Sequence, residues 1–108
     1  MNMAGVGIAT TDWRKKMKNS PINEYQQLMA ITAEEAGELV QVCMKIIRMF
    51  DSHDKIDEKR LQHLIEEAGD VYAMIELLCE HNVLKWTDIK ERAVVKRDKL
   101  KIWSNLVK

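Results

Sequence analysis

Hydrophobic residues recur at helical spacing in three stretches of the chain, and short polar segments separate those stretches. The first stretch, residues 22–50, follows Ser20-Pro21, a pair that predicts a helix start with a capping Ser and Pro at the first helical position. Steps of three and four residues between its apolar positions predict one buried face. That face contains Leu28, Ile31, Leu39, Val42, Ile46 and Met49.

A polar segment at residues 51–55 predicts a loop, and Asp57 is placed to cap a second helix that runs to about Glu80. His81-Asn82 is typical of a helix C-terminus, because Asn tolerates the left-handed conformation found there. The predicted apolar face of this second helix contains Leu61, Leu64, Val71, Met74, Leu77 and Leu78.

Thr87 is predicted to cap a last helix, residues 88–104, whose apolar positions are Ile89, Ala93, Leu100 and Trp103. Nowhere does an alternation of apolar and polar residues continue long enough to predict a sheet. The predicted fold class is therefore all-α, a small bundle of three to five helices. Bundles of this size often complete their core by pairing, so we expect a homodimer or a homotetramer.

Length and composition favour one globular domain. The chain has 108 residues, of which 46% are hydrophobic and 31% are charged, and these proportions are typical of a folded protein. Gly5 and Gly7 fall close to the N-terminus. We therefore predict a flexible arm at residues 1–10, followed by a domain at residues 11–108.

Charge and cysteine content exclude several function classes. The 17 Lys and Arg residues balance the 17 Asp and Glu residues, whereas a nucleic-acid-binding protein needs a basic surplus. Cys43 and Cys79 do not form a C-x-x-C pair, and we interpret them as free core thiols of a reducing compartment. No apolar stretch approaches the roughly 18 residues of a membrane span, and the N-terminus lacks the basic start of a signal peptide. We expect a soluble, cytoplasmic protein without membrane or nucleic-acid partners.

A short acidic motif occurs twice, as EEAGEL at residues 34–39 and as EEAGDV at residues 66–71. In each copy, two acids three residues apart lie on one helix face and interrupt the predicted apolar stripe. If both stripes face the core, four carboxylates converge between the two helices. They are Glu35, Glu38, Glu67 and Asp70. Gly37 and Gly69 are predicted to let the two helices approach closely beside these acids.

Converging carboxylates repel one another, by roughly 3 kcal/mol for a pair about 5 Å apart at an effective dielectric constant near 20. Protonation, pairing with Lys or Arg, or a bound cation relieves this repulsion, and a matched set of four acids favours a multivalent ion. Carboxylate ligands without His or Cys at ligand spacing favour Mg²⁺ or Mn²⁺ over zinc or a di-iron centre. Mg²⁺ bound in this way usually binds substrate phosphates as well, which predicts metal-assisted phosphate chemistry. In the alternative interpretation, the acids are exposed and pair with neighbouring lysines.

The segments AEEAGELVQ (residues 33–41) and LIEEAGDVYAMI (residues 64–75) resemble the two signature helices of the MazG-like, all-α nucleoside triphosphate pyrophosphohydrolases. The resemblance covers residues 12–101. It implies an all-α dimer or tetramer that cleaves a (d)NTP to the monophosphate and pyrophosphate with Mg²⁺. It also implies that the four converging acids are the metal ligands. Glu34 or Glu66 would orient or deprotonate the attacking water, unless both are solvated surface residues.

Candidate substrate contacts lie on both sides of the acid pairs. Lys45 follows the first acid pair by two helical turns and is a candidate phosphate ligand. The family implies basic phosphate contacts on the last helix, here Lys96 and Lys99, although Asp98 stands where family members commonly carry Asn. Trp13 is a candidate platform for the base, or else a core or interface residue. The three histidines have no partners at catalytic spacing and are interpreted as surface or loop-end residues: His53, His63 and His81.

Two other functions stay open. One is phosphoribosyl-ATP pyrophosphohydrolase, an enzyme of the same broad group with a different substrate. The other is a non-enzymatic, oligomeric helical module whose acids hold a structural metal or pair with lysines. Chelation separates this module from an enzyme, because removal of a structural ion lowers the melting temperature even without nucleotide.

Overall fold

The structure, a computed structural model, describes Lys18 and residues 21–108. Three α-helices follow one another in these residues: α1 (Glu24–Met49), α2 (Glu58–Glu80) and α3 (Trp86–Trp103). A 3-10 turn, His53–Lys55, lies between α1 and α2. No strand occurs in the described residues, so the all-helical prediction is confirmed for them, and none of these helices combines the length and hydropathy needed to cross a lipid bilayer. The predicted arm at residues 1–10 lies outside the described residues.

A capping box, and not the predicted Ser20-Pro21 pair, begins α1. Asn23 Oδ1 accepts a hydrogen bond from the backbone N–H of Gln26 at 2.8 Å, and Gln26 Oε1 accepts one from the N–H of Asn23 at 3.0 Å. This reciprocal pair satisfies two backbone donors that would lack helical partners at the first turn. It therefore fixes the first helical residue at Glu24, later than the hydrophobic pattern predicts.

Both ends of α2 confirm the predicted caps. Asp57 Oδ1 accepts a hydrogen bond from the backbone N–H of Arg60 at 2.8 Å, which is the expected N-cap contact. After the last helical residue, Asn82 has a φ of 61°, the left-handed conformation that commonly ends a helix. The backbone N–H of Val83 then donates to the carbonyl of Leu78 at 2.9 Å, so a carbonyl of the last turns keeps a partner.

The start of α3 differs from the prediction. Its N-cap is Lys85, which makes no side-chain capping hydrogen bond, and the backbone N–H of Ile89 donates to the Lys85 carbonyl at 3.2 Å. The predicted cap, Thr87, consequently lies inside the first turn of the helix. At the other end, the N–H and Oγ of Ser104 both donate to the Leu100 carbonyl, at 2.9 and 2.8 Å.

The internal contacts of the chain divide it into two compact units, residues 1–71 and residues 72–108. The boundary falls within α2, directly after the second acidic motif. Leu28 and Val42 are buried in the first unit, and Met74 and Leu78 are buried in the second. All four residues belong to the apolar faces that the helical spacing predicts.

Other residues of the predicted apolar faces are exposed. They are Met49, Leu61, Leu77, Ala93 and Trp103. Cys43 is exposed and Cys79 is half-buried, and both are free thiols, so the interpretation of the two as core residues is wrong. The helices carry apolar residues on more than one side, and spacing alone therefore assigns too many of them to the core.

Within the first unit, α1 and the beginning of α2 form an antiparallel hairpin. Glu35, in the first half of α1, lies beside Glu67 of α2. Ile46, near the end of α1, lines a hollow together with Leu64, nearer the start of α2. The chain therefore reverses direction across the short connection at residues 50–57.

The two flanks of this hairpin differ in character. In an antiparallel pair of helices, a residue that directly follows a core-facing residue in the sequence lies on the same flank of the pair in both helices. A residue that directly precedes a core-facing residue lies on the opposite flank. The first flank and the outward face next to it, which we together call the apolar side, carry large residues that are 45–70% exposed. They are Met29, Val40, Met44, Ile47, Leu61 and Ile65. The opposite flank, the polar side, carries mainly charged residues, including Glu34, Lys45, His63 and Glu66.

Candidate metal centre

Three carboxylates from the two helices of the hairpin meet. One oxygen from each of Glu35, Glu67 and Asp70 lies within 4.8 Å of the other two. Glu35 is half-buried, Asp70 is exposed, and the side chain of Glu67 is 13% exposed. We call these three residues the carboxylate triad. The structure thus brings together three of the four acids that the sequence predicts to converge.

Helical register explains why these side chains meet. Glu35 stands seven residues after Leu28 and seven before Val42, two turns in each direction, so it points the same way as these two buried residues. On α2, Glu67 and Asp70 are three residues apart and share one face. Acids therefore occupy positions at which the hairpin would otherwise place apolar residues between its helices.

The carboxylates of the triad repel one another, and a bound cation is one of the ways in which that repulsion is relieved. Glu35 and Glu67 are both largely shielded from water, and two carboxylates about 5 Å apart repel by roughly 3 kcal/mol at an effective dielectric constant of 20. Asp70 is exposed, so water screens its charge and weakens its repulsion with the other two carboxylates. Three carboxylate groups fit Mg²⁺ or Mn²⁺, hard ions that take oxygen ligands and leave further coordination positions for water or phosphate oxygens.

A histidine contacts the triad. His63 Nε2 lies 3.2 Å from Glu67 Oε2, and the two residues are one helical turn apart on α2. The side chain of His63 is 46% exposed, so its interpretation as a surface residue is confirmed, but that interpretation did not include Glu67 as its partner. The four-residue spacing was the signal available in the sequence, because residues so spaced are neighbours on a helix. Such a contact fixes the orientation of a carboxylate that would ligate a metal.

The other predicted acids lie around the triad. Glu38, the fourth predicted metal ligand, is half-buried and lines a groove beside it, but it is outside the group of described acids that meet within 4.8 Å. Glu34 is half-buried, whereas Glu66 is exposed and accepts a hydrogen bond from Gln62 Nε2 at 3.3 Å. Their roles at a metal or at an attacking water stay predictions.

The predicted substrate contacts are distributed over both units. Lys45 lines the same groove as Glu38. Lys96 and Lys99 are exposed on α3, in the second unit, and Lys96 Nζ lies 5.2 Å from the ring centroid of Trp103, a cation–π contact. Trp13, the candidate base platform, lies outside the described residues.

The two glycines of the acidic motifs do not mark a close contact between helices. A Cβ added at Gly37 or at Gly69 would meet no heavy atom of the described chain within 4 Å beyond its own helical surroundings. Each glycine stands two positions after a core-facing acid. Two positions are about 200° around the helix, so both glycines face away from the partner helix. The prediction that they let α1 and α2 approach closely is wrong.

No family model, curated protein or solved structure matches this chain. A functional interpretation consequently depends on the residues themselves, on the geometry of the triad and on the resemblance of the two acidic motifs. Of these, the triad is the feature with the most definite chemistry.

Proposed function

We propose that this protein is a Mg²⁺-dependent nucleoside triphosphate pyrophosphohydrolase, which cleaves a (d)NTP to the (d)NMP and pyrophosphate. The observation that carries the proposal is the meeting of Glu35, Glu67 and Asp70 within 4.8 Å, from two different helices. Glu35 and Glu67 occupy equivalent places in the two acidic motifs that resemble the MazG-like family, and Asp70 is the second acid of the later motif's pair.

The chemistry of the proposed site follows from its donors. The triad would hold Mg²⁺, or Mn²⁺ in its place, and Glu38 would add a ligand from one turn further along α1. When bound, the metal ion polarises the phosphoryl oxygens and stabilises the charge on departing pyrophosphate. His63 holds Glu67 through its 3.2 Å contact, so that this carboxylate keeps the orientation required of a ligand.

Water activation is proposed for the acids next to the triad. Glu34 and Glu66 directly precede Glu35 and Glu67, so each lies beside a triad residue on the polar side of the hairpin. Either carboxylate would accept a hydrogen bond from the water that attacks phosphorus, orient it and take up its proton. Lys45, Lys96 and Lys99 are the proposed cations for the phosphate chain.

A substrate panel tests the proposal. The full-length protein is incubated with canonical dNTPs and NTPs and with phosphoribosyl-ATP, with Mg²⁺ or Mn²⁺, and both pyrophosphate and orthophosphate are measured. We expect metal-dependent release of pyrophosphate from at least one nucleoside triphosphate, and no release from a Glu67→Gln variant. Release of orthophosphate alone, or silence over the whole panel, would refute the assignment, and turnover of phosphoribosyl-ATP alone would favour the related histidine-pathway activity.

A chelation experiment separates the enzyme from a structural metal module. An exchangeable ion that serves catalysis should stabilise the fold little in the absence of nucleotide, so the melting temperature should change little with EDTA. A large loss of stability on chelation, without any turnover, would favour the non-enzymatic module.

We also propose that the apolar side of the hairpin is covered by a second copy of this chain. Its six large residues each leave on the order of 100 Å² uncovered, more in total than the few hundred Å² of contiguous apolar surface that monomers usually expose. A symmetric pair of such faces would bury about 1,200 Å², the lower end of the range for stable interfaces. The proposed assembly is a homodimer, or a homotetramer built from it.

A further inference from the structure

A groove that collects cations from both helices lies on the hairpin, and Val40 and Met44 of the apolar side border its first part. Two hollows of about 380 Å³ and 370 Å³ share Lys45 and His63 in their walls, so they lie next to each other. Arg48 of α1 lines the first hollow, and Lys59 and Arg60 of α2 line the second. We call this the basic groove.

The cations of the basic groove are largely uncompensated. Arg60 lies 3.6 Å from Asp57, but Lys45, Arg48 and Lys59 make no ion pair with any described residue. Four cations face two carboxylates in the groove walls, those of Glu38 and Glu66. A concave surface that gathers like charges focuses the electrostatic field and attracts counter-ions of opposite sign. The groove is therefore suited to an anion with more than one charge.

The groove adjoins the carboxylate triad. His63 lines both hollows and contacts Glu67 of the triad at 3.2 Å, while Glu38 stands at the end nearest Glu35. Long side chains on helices generally lean toward the helix N-terminus, which for Lys45 is the direction of Glu38. An anion in the groove could thus be part of a longer molecule that also reaches the triad.

We propose that the basic groove binds a phosphate chain, with Arg48, Lys59 and Arg60 as ligands that supplement Lys45. Guanidinium groups match phosphate oxygens with two parallel hydrogen bonds, and the ammonium groups supply point charges. The link to catalysis rests on the proposed function: the groove would hold the terminal phosphates of a nucleotide whose scissile bond lies at the triad, and then the pyrophosphate product. Binding of the anion itself does not depend on that function.

Calorimetric titration of the full-length protein with inorganic pyrophosphate, in EDTA and at low ionic strength, tests the groove. We expect saturable binding that weakens with added salt, since the contacts are between exposed charges. Arg48→Gln and Lys59→Gln should each weaken the affinity about tenfold, the size expected for loss of one charge-assisted contact. Lys90→Gln removes an equally exposed lysine from α3 and should leave the affinity unchanged.

The outcomes for the groove and for the proposed function are distinguishable. Three results would refute the proposed binding of pyrophosphate by the groove. They are unchanged affinity in both groove variants, an equal loss of affinity in Lys90→Gln, and no binding of pyrophosphate to the unmodified protein. Glu67→Gln should retain pyrophosphate binding in EDTA, because it removes no groove cation. If pyrophosphate binds as expected and no nucleotide is hydrolysed, the proposed anion binding by the groove is supported and the proposed pyrophosphohydrolase activity is refuted.

Discussion

His63 Nε2 lies 3.2 Å from Glu67 Oε2, and this contact joins the basic groove to the carboxylate triad. The histidine lines both hollows of the groove, and the glutamate is one of the three acids that meet within 4.8 Å. One close histidine–glutamate pair on a single helix face thus connects the two halves of the proposed site. Its removal should affect the metal more than the fold.

We expect His63→Ala to reduce turnover and the affinity for Mn²⁺ about tenfold, because outer-shell partners of ligating carboxylates contribute at this level. Mn²⁺ affinity is measured by electron paramagnetic resonance and turnover by pyrophosphate release. His53→Ala, an exposed histidine of the 3-10 turn, is the matched control and should change neither quantity. Wild-type Mn²⁺ affinity in His63→Ala would show that the contact does not orient Glu67.

The ligand set of the metal can be determined by single amide substitutions. Glu35→Gln and Glu67→Gln should each lower Mn²⁺ affinity at least tenfold and abolish turnover, because each removes a charged ligand. Glu38→Gln should lower turnover with a smaller effect on metal affinity, since its oxygens lie outside the group that meets within 4.8 Å. Equal loss of Mn²⁺ affinity in all three variants would make Glu38 a full ligand. Glu58→Gln, exposed at the start of α2, controls for the loss of one charge.

Asp70→Asn should stabilise the metal-free protein. The substitution removes one of three mutually repelling charges without leaving a larger cavity, and the gain should be at most about 1 kcal/mol because Asp70 is exposed and water screens its charge. Urea denaturation in EDTA measures the free energy of unfolding. A lower free energy of unfolding in Asp70→Asn would mean that the acids are paired favourably in the absence of metal.

A charge on the apolar side should dissociate the proposed dimer. Ile47 is 70% exposed, and Ile47→Asp would place a carboxylate in a buried interface without a partner, which is costly. Ile102 is 81% exposed outside the apolar side, so Ile102→Asp is the matched control and should leave the oligomeric state unchanged. Light scattering after size exclusion reports the mass of each variant. A wild-type protein that is monomeric at all concentrations would exclude the proposed interface.

Alanine at the two motif glycines should stabilise the protein. Since an added Cβ at Gly37 or Gly69 meets open space, each substitution should gain up to about 1 kcal/mol from the higher helix propensity of alanine. Thermal unfolding of the single and double variants measures the effect, and gains at these separated positions should add. A loss of stability would reveal a neighbour supplied by another copy of the chain.

The sequence predicts α1 and α2 because apolar residues recur along them at steps of three and four. The prediction of α3 is also confirmed, although its apolar residues are spread around the helix and none of them is buried. The sequence predicts the helix boundaries less well, since Asn23 and Lys85 begin α1 and α3 in place of the expected Ser20 and Thr87. Lys85 makes no side-chain cap, so no residue type marks that start. Asp57 does cap through its side chain, and there the prediction is confirmed.

The spacing of residues in the sequence predicts one part of the candidate site, the carboxylate triad, and does not predict the basic groove. The convergence of Glu35 with Glu67 and Asp70 follows from register along two amphipathic helices. The assembly of Arg48 with Lys59 in one groove does not, because it depends on the antiparallel alignment of α1 and α2. The sequence assigns too many residues to the core because apolar residues lie on more than one side of the helices, and spacing alone does not tell which of these sides is covered.

The short connection at residues 50–57 has a kinetic consequence. Every residue of the triad and of the basic groove belongs to two helices that are adjacent in sequence. The contacts nearest the turn between these helices close short loops, and their closure costs little entropy. Contacts of such low sequence separation are typical of fast-folding helical proteins. The residues of the proposed site should therefore assemble early, as one local unit, before the rest of the chain has folded.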